Sequence, residues 1–225
     1  MKTSFSLLLH ALVKLLSGLL LIALLLFLPA GTWCYPHAWL FIALLFVPMT
    51  IIGIWLFLSH PNLLVKRLGN KERERQQKNV VALSGLMFIS GFVLCALDYR
   101  FGWSSVPVWL VVVASVIFLL GYGMYAEVMR ENAYLSRTIE VQEGQQLIDS
   151  GLYGIVRHPM YTATILMFMA IPLVLGSFWA LFVFAIYPIL MVLRIQNEEQ
   201  VLAKGLAGYP EYQKRVKWRL VPFIW

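Results

Sequence analysis

The fold of this chain is decided by residues 157–199, where two polar clusters enclose a long apolar run. The clusters are Arg157-His158-Pro159-Met160-Tyr161 and Arg194-Ile195-Gln196-Asn197-Glu198-Glu199, and the 32 residues between them, 162–193, carry no charge. One continuous helix of that length would rise about 48 Å, well beyond the roughly 30 Å of a bilayer's hydrocarbon core. Pro172 and the pair Gly176-Ser177 lie near its midpoint, where they favour a turn. The sequence therefore predicts a hairpin of two short antiparallel helices that brings the two clusters into one site.

The composition indicates a membrane protein. Hydrophobic residues make up 60% of the chain and charged residues 13%, and the mean hydropathy is +0.77; about a quarter of the residues are charged in an ordinary soluble domain. Nearly uncharged runs at Leu7–Leu28, Ala38–Leu58, Val80–Leu97 and Val106–Tyr125 each approach the roughly 20 residues of a spanning helix. With the hairpin, the sequence predicts an all-α polytopic membrane protein of about six membrane helices. A signal peptide is the alternative for the first run, which exceeds the roughly 7 to 15 residues of a signal peptide's apolar core.

The basic residues predict the orientation. By the positive-inside rule, loops rich in Lys and Arg face the cytoplasm. Only Arg100 falls in a loop on the opposite side, so we expect both termini and the polar clusters to be cytoplasmic, and we expect the net charge of +7 to reflect topology and anionic lipid rather than nucleic-acid binding. The basic residues of the predicted cytoplasmic side are Lys66, Arg67, Lys71, Arg73, Arg75, Lys78, Arg130, Arg137, Arg157, Lys204, Lys214, Arg215, Lys217 and Arg219.

Several common classes of site are not supported. Cys34 and Cys95 give neither a disulfide framework nor a CxxC metal spacing, and the four histidines are scattered over different segments. We therefore predict no metal. The sequence also lacks the GxGxxG, GxxxxGK[ST] and GxSxG patterns of nucleotide-binding loops and of hydrolase nucleophiles.

The chain reads as one domain, 1–225, with two functional parts. Residues 1–125 are mostly apolar and predict a scaffold of membrane helices, whereas 126–225 alternate apolar helices with polar segments and predict the cofactor and catalytic region. The segment 138–159 is too polar to cross a bilayer. Its glycines, at 144, 151 and 154, permit tight turns, and Gln142, Gln145 and Gln146 offer donors and acceptors. The segment is either a loop that caps the bundle or the wall of a site for a small polar cofactor.

The two polar clusters contain candidate functional residues. Pro159 is well placed to begin a helix, so Arg157 and His158 are expected at a helix N-terminus, which attracts anions. Arg194 and Glu198 are four residues apart and share one helix face, whereas Glu199 is rotated away by about 100°. An intrahelical salt bridge is the simpler interpretation of that pair. At the end of a membrane helix that faces a bundle, however, ionisable groups indicate a functional site.

The C-terminal motifs occur in a specific order. They are Gly151-Leu152-Tyr153, Arg157-His158-Pro159-Met160-Tyr161, the apolar hairpin, Arg194-x-x-x-Glu198-Glu199, and a tail with Tyr209-Pro210-Glu211-Tyr212-x-x-Arg215-Val216 that ends in Val221-Pro222-Phe223-Ile224. This set resembles the isoprenylcysteine carboxyl methyltransferase family over roughly residues 138–224. Phospholipid N-methyltransferases and membrane sterol reductases carry related C-terminal patterns.

The resemblance implies that S-adenosylmethionine binds in a cytoplasm-facing cavity at the end of the membrane bundle. Arg194 and Glu198 would be the catalytic residues, Arg194 addressing the substrate and Glu198 the cofactor. One departure is Gln145, which stands where family members often have His and which cannot titrate. The remaining cofactor-binding residues implied by the resemblance are Gln142, Gln145, Gln146, Leu147, Ile148, Tyr153, His158, Pro159, Met160 and Tyr161.

The residue types also suit methyl transfer on their own chemistry. Glu198 can meet the sulfonium and ammonium groups, and tyrosine faces can stack on adenine or sulfonium. The expected acceptor is lipophilic or small, with a carboxylate or thiol favoured because an arginine lies near it. The alternatives are a phospholipid N-methyltransferase and an NADPH-dependent reductase, in which Arg130, Arg137 and Arg157 would meet the 2′-phosphate. A transporter is the non-enzymatic alternative, and it predicts polar residues at mid-membrane rather than at one edge.

Overall fold

The helices account for most of the chain. The computed structural model describes residues 2–69, 75–135 and 141–225. Lys71, Arg73 and Arg137 lie outside the described residues, as does the start, 138–140, of the polar segment 138–159, here called the polar link. Within these ranges the elements are helices and turns, without strands. The helices are α1 (Lys2–Ala30), α2 (Pro36–Ser59), α3 (Pro61–Leu68), α4 (Arg75–Phe101), α5 (Val108–Glu131), α6 (Pro159–Val174), α7 (Trp179–Phe184), α8 (Ile186–Gly205) and α9 (Tyr209–Arg215).

The long helices confirm the predicted all-α polytopic membrane protein. Among the described residues, five helical stretches are long and apolar enough to cross a membrane, and α6 is a shorter apolar helix. Large apolar side chains cover their outer faces; Leu20, Ile51 and Leu120 are each more than 60% exposed, as expected of groups that face lipid. The helices extend beyond the predicted apolar runs, because helical hydrogen bonding continues into the polar flanks. The extension of α4 back to Arg75 includes Gln77 in the helix.

The hairpin forms where the sequence predicts it. Gly176 has a φ of +80°, and its N–H donates to the Leu173 carbonyl at 3.1 Å, while the Ser177 N–H donates to the Pro172 carbonyl at 2.8 Å. This paired arrangement is the Schellman motif that ends many helices, and glycine adopts the required backbone without strain. Pro172 lies inside α6, so the turn follows it by a few residues. Only the first arm is short, since α7 and α8 together form a stretch of 27 residues, Trp179–Gly205.

Buried polar groups hold the turn of the hairpin against the other helices. Asp98, near the end of α4, is only 1% exposed; its carboxylate accepts hydrogen bonds from the Ser104 N–H at 2.7 Å, the Ser104 hydroxyl at 2.6 Å and the Ser177 hydroxyl. The Tyr35 hydroxyl, just before α2, donates to the Leu175 carbonyl at 2.6 Å. These bonds fix the turn at one end of the bundle, so both arms lead toward the opposite end.

The arms pack against the scaffold through an aromatic core. Phe41 of α2, Phe92 of α4, Phe118 of α5 and Phe184 of α7 are all buried in one cluster. The ring centroid of Phe92 lies 5.5 Å from that of Phe41 and 6.0 Å from that of Phe184, at distances typical of favourable aromatic pairs. This packing sets the position of both arms relative to α2, α4 and α5.

Candidate functional site

The two polar clusters meet at the end of the bundle opposite the turn. The Tyr161 hydroxyl, in the first turn of α6, donates to Glu198 Oε2 at 2.6 Å, and Arg194 Nε donates to the Tyr161 hydroxyl at 2.9 Å. Arg194 is 9% exposed and Tyr161 is 5% exposed. The hairpin therefore joins a guanidinium, a phenol and a carboxylate from two helices in one chain of hydrogen bonds.

A cavity opens beside these three hydrogen-bonded side chains. Most of the residues that the sequence singled out line it, although they are separated by up to 53 positions in the chain. Of the predicted site residues, only Gln142 is not among its lining residues. Arg157, which the sequence predicted at an anion-attracting helix N-terminus, also lines the cavity. The predicted site residues that line it are Gln145, Gln146, Leu147, Ile148, Tyr153, His158, Pro159, Met160, Tyr161, Arg194 and Glu198, and the residues that sequence reasoning did not assign are Asn132, Tyr134, Leu135, Leu202, Leu206, Tyr209 and Tyr212.

Gln142 supports the cavity wall from behind. Its Oε1 accepts a hydrogen bond from Lys66 Nζ at 2.6 Å, and its Nε2 donates to the Tyr134 carbonyl at 2.6 Å. Its backbone N–H donates to Gln145 Oε1 at 2.9 Å. Gln142 thus ties the polar link to α3 and orients Gln145, so its contribution in the structure is to hold the wall rather than to form it.

The polar link approaches α5 closely at one glycine. Gly151 has a φ of +54°, which strains any other residue, and a Cβ there would lie 1.6 Å from Glu131 Oε1, so a side chain at this position would displace the Glu131 carboxylate. The Glu131 carboxylate accepts the Leu152 N–H at 3.1 Å. This contact fixes the short 3-10 turn Gly151–Gly154, which carries Tyr153 into the cavity wall. Burial raises the pKa of Tyr153 to about 12, so its hydroxyl, which accepts from Asn132 Nδ2 at 2.9 Å, stays protonated at neutral pH.

Glu199 lies behind the cavity and binds three basic side chains. Its Oε1 accepts from Arg157 Nε at 2.7 Å and lies 3.2 Å from His158 Nε2, and its Oε2 accepts from Arg219 Nε at 2.9 Å. The predicted rotation of Glu199 away from Glu198 is thus correct, but the sequence did not indicate what Glu199 would meet. Glu199 thus joins the start of α6 to the C-terminal tail.

Arg157 is held by the tail as well. Its Nη1 donates to the Val216 carbonyl at 2.7 Å and to the Lys217 carbonyl at 2.9 Å. The backbone N–H groups of Arg157 and His158 donate to the carbonyls of Trp218 and Arg219, each at 2.9 Å. Arg157 therefore lines the cavity, but its Nε and Nη1 are hydrogen-bonded to other groups of the protein.

Gln77 brings α4 into the site. It is completely buried; its Oε1 accepts from Arg194 Nη1 at 2.9 Å and its Nε2 donates to Asn197 Oδ1 at 2.8 Å. These two bonds orient the amide and hold the Arg194 guanidinium at a second nitrogen, Nη1, while Nε is held by Tyr161. The sequence predicted the cofactor and catalytic region within 126–225, whereas the structure brings Gln77, from the first part of the chain, into contact with Arg194. The signal that could have indicated this contact was a polar residue, Gln77, just before the apolar run that begins at Val80.

The cavity can hold a ligand that carries charges of both signs and an aromatic group. Glu198 offers an anion and Arg194 a cation, and Tyr153 and Tyr161 offer aromatic faces. In the part of the chain that the structure describes, no three His, Cys, Asp or Glu side chains are grouped so that they could hold a metal ion.

Comparisons with known proteins point to two enzyme classes. A family model described as "Phospholipid methyltransferase" matches residues 109–207, which run from α5 through α8. The chain is 35% identical over 91 residues to Delta(14)-sterol reductase TM7SF2 of Mus musculus, covering 39% of this chain and 22% of that protein. It is 26% identical over 136 residues to a Delta(14)-sterol reductase of Methylotuvimicrobium alcaliphilum, covering 54% of this chain and 32% of that protein.

A third relative is the uncharacterized protein YpbQ of Bacillus subtilis. It is 30% identical over 95 residues, which cover 42% of this chain and 56% of that protein. The matched stretches thus span about a fifth to just over half of the relatives' lengths. Together with the membrane helices, these similarities support an integral membrane protein related to methyltransferases and sterol reductases. The isoprenylcysteine acceptor stays a prediction.

Replacing Glu199 by Gln tests whether this carboxylate anchors the site. The substitution Glu199→Gln keeps the shape but leaves Arg157 and Arg219 buried or half-buried without their anion. We expect the free energy of unfolding to fall by about 3 kcal/mol, as for other broken buried ion pairs. Denaturant unfolding in mixed micelles, followed by circular dichroism, measures the change.

The matched control is Glu127→Gln, which breaks the exposed pair between Glu127 and Arg130. Exposed pairs contribute little, so this variant should unfold at the wild-type denaturant concentration. Equal unfolding midpoints for Glu199→Gln and wild type would show that Glu199 does not anchor the tail and α6.

Proposed function

We propose that this protein is a membrane-embedded methyltransferase that uses S-adenosylmethionine and modifies a lipophilic acceptor. The observation that carries the proposal is the hydrogen-bonded chain of Arg194, Tyr161 and Glu198 in the wall of one cavity. Arg194 and Glu198 lie about one helical turn apart on α8, so that the cation would meet an anionic acceptor and the anion a positively charged donor. The match to phospholipid methyltransferases supports the same class.

The residues around the cavity fit the groups of S-adenosylmethionine. The Glu198 carboxylate suits the sulfonium and ammonium groups, and the ring faces of Tyr153 and Tyr161 suit either the sulfonium or a flat base. The start of α6, with His158 beside it, suits the carboxylate, because a helix N-terminus attracts anions. When bound, this cofactor supplies a methyl group on a good leaving group.

The protein's own residues then have mainly positioning roles. Arg194, held by Tyr161 and Gln77, orients the anionic end of the acceptor toward the cavity. Glu198, held by Tyr161, fixes the donor's positive end. A carboxylate or thiolate acceptor is already a good nucleophile, so orientation and exclusion of water can supply most of the acceleration without a general base.

An apolar groove next to the cavity supports a lipophilic acceptor. It lies between α2, α3, α5 and α6, and its lining includes Ile52, Gly53 and Met167. Arg67 stands at its edge, with its guanidinium 5.3 Å from the Tyr125 ring and its Nη1 3.9 Å from the sulfur of Met160, which lines the cavity. An acceptor with its apolar part in the groove could thus extend its polar end past Arg67 and Met160 toward Arg194. The two arginines favour an acidic end, as in a carboxylate or thiolate.

A reductase that uses NADPH is the second candidate, because two of the relatives are sterol reductases. Such a protein needs basic groups for the 2′-phosphate. Of the three arginines that could serve, Arg157 is bonded to Glu199 and to two carbonyls, and Arg130 pairs with Glu127 away from the cavity lining. Arg137 lies outside the described residues. The engagement of Arg157 and Arg130 favours the methyltransferase.

The orientation and the domain organisation are part of the proposal. We place the cavity and both termini in the cytoplasm, as the distribution of Lys and Arg predicts. Arg100 lies at the other end, where its Nη1 donates to the Pro29 carbonyl at 3.3 Å. We treat residues 1–225 as one domain because Gln77 and Arg67, from the first part of the chain, contact groups of the second part.

Two substitutions on α8 test the proposed roles. Arg194→Ala should lower methyl transfer to the acceptor by at least about 100-fold but change the affinity for S-adenosylhomocysteine by less than about threefold, since the arginine serves the acceptor. Glu198→Gln should weaken the binding of S-adenosylhomocysteine by about 10- to 100-fold, because it loses a charged contact to the ammonium group, which S-adenosylhomocysteine shares with the donor. Calorimetry on protein in detergent and transfer of a labelled methyl group measure the two effects.

Glu211→Gln, on the exposed face of α9, is the matched control and should match wild type in both assays. Equal loss of S-adenosylhomocysteine affinity in the Arg194 and Glu198 variants would reject the division of roles. Tighter binding of NADPH than of S-adenosylmethionine by the wild type would favour the reductase instead.

Filling the groove tests the lipophilic acceptor. A Cβ at Gly53 would meet nothing within 4 Å, so Gly53→Leu can be accommodated and would occupy part of the groove. We expect KM for an acceptor with a long apolar chain to rise about tenfold, since a few buried methylenes contribute that much, while the affinity for S-adenosylhomocysteine stays unchanged. Steady-state kinetics in lipid nanodiscs measure KM.

Gly85→Leu provides the control on a helix face exposed to lipid, where a Cβ also meets nothing within 4 Å. It should leave KM unchanged, and a short acceptor without an apolar chain should be insensitive to both substitutions. An unchanged KM for the long acceptor in Gly53→Leu would show that the acceptor does not use this groove.

A further inference from the structure

One polar atom in the cavity wall lacks a partner. Tyr209, the first residue of α9, is 3% exposed and lines the cavity, yet its hydroxyl is the only buried side-chain oxygen or nitrogen of the described residues without a hydrogen bond. The other cavity tyrosines are bonded: Tyr161 to Glu198, Tyr153 to Asn132, Tyr134 to the Gly144 carbonyl at 3.2 Å, and Tyr212 to the Tyr153 carbonyl at 2.7 Å. Burying an unpaired hydroxyl costs free energy, so such a group calls for an explanation.

The surroundings of Tyr209 are apolar. It belongs to a small cluster with Leu206, Tyr212 and Val216, against which Leu147 and Leu202 pack. Leu147, Leu202 and Leu206 also line the cavity. A ligand group at this place therefore meets mainly aliphatic walls and one hydroxyl that has no partner in the protein. Those are the features of a site for a flat heterocycle that is recognised at one edge.

The order of side chains along α8 indicates which part of the ligand lies here. Arg194, Glu198 and Leu202 follow one another at intervals of four residues on one face, and Leu206 follows just after the helix ends. Each step advances about 6 Å. The wall thus changes from a cation, through an anion, to an apolar surface. In the proposed function these meet, in turn, the anionic acceptor, the positive end of the cofactor, and the remainder of the cofactor, which is its nucleoside.

We propose that Leu147, Leu202, Leu206 and Tyr209 form the subsite for the adenine base, and that the Tyr209 hydroxyl hydrogen-bonds to a nitrogen at the edge of that base. The inference rests on the proposed function in so far as the cofactor carries adenosine. NADPH carries the same base, so the subsite is compatible with both candidate functions.

The protonation state of Tyr209 suits this role. Burial, with the nearby charges of Glu199 and Glu198, raises the pKa of the Tyr209 hydroxyl. The group therefore remains a neutral hydroxyl at physiological pH, able to donate to a ring nitrogen or to accept from the exocyclic amine.

Tyr209→Phe tests the contact and separates it from a structural role. Without ligand, the variant should be as stable as wild type or more stable, because the hydroxyl that it removes has no partner. Its affinity for S-adenosylhomocysteine should fall by about tenfold, the usual effect of losing one hydrogen bond. Thermal unfolding and calorimetry on the detergent-purified full chain give the two readouts. Tyr212→Phe, which loses the bond to the Tyr153 carbonyl, should be less stable than wild type without ligand.

Analogues identify the partner atom. We expect wild type and Tyr209→Phe to bind one of the 1-deaza, 3-deaza, 7-deaza or inosine analogues of S-adenosylhomocysteine equally well, namely the analogue that lacks the atom bonded to Tyr209. An unchanged affinity for S-adenosylhomocysteine in Tyr209→Phe would overturn the proposal, as would an equal loss for every analogue.

The outcomes also separate this proposal from the proposed function. If the wild type binds NADP⁺ but not S-adenosylhomocysteine, the methyltransferase fails, and the same substitution must then weaken NADP⁺ by about tenfold for the adenine subsite to stand. If the wild type binds neither ligand, both proposals fail. Loss of S-adenosylhomocysteine affinity in Glu198→Gln with no loss in Tyr209→Phe would uphold the proposed function and reject the subsite.

Discussion

The site depends on the return of the chain at Gly176. The glycine ends α6 in a left-handed backbone conformation, and the buried Asp98 carboxylate binds Ser177 directly after it. The apolar arms that leave this turn have opposite directions, so the residues at their far ends must lie side by side. A straight helix would have carried Tyr161 and Glu198 to different faces of the membrane. Their hydrogen bond at 2.6 Å is the direct consequence of the turn.

The ends of the arms are then held by a second layer of contacts. Glu199 joins Arg157, His158 and Arg219, and Gln77 holds Arg194 against Tyr161. Charged groups at the edge of a bilayer are stable only when they are paired or hydrated. Glu199 pairs with the basic side chains behind the cavity wall, and Gln77 hydrogen-bonds to Arg194. Glu198 and Arg194 therefore face the cavity in fixed positions. Such preorganisation is what a transfer reaction without acid or base catalysis requires.

Much of this architecture could be predicted from local sequence features. The apolar runs identified the membrane helices, and Pro172, Gly176 and Ser177 identified the turn, because length and backbone preference are local properties. The four-residue spacing of Arg194 and Glu198 predicted that they share one helix face, and both line the cavity. The partners of Glu199 and the role of Gln77 could not be predicted, because they depend on contacts between residues 20 to 120 positions apart in the chain. The missing bond of Tyr209 is likewise visible only when its neighbours are known.

The hairpin requires that its two ends lie on one side of the membrane and its turn on the other. Single cysteines at Ile155, Lys204 and Trp179, all exposed, can be introduced after Cys34 and Cys95 are replaced. Labelling with a membrane-impermeant maleimide, applied to sealed vesicles of each orientation, reports the side of each position. The structure predicts that positions 155 and 204 react from the same side and position 179 from the opposite side. Labelling of 155 and 204 from opposite sides would contradict the hairpin and the shared cavity.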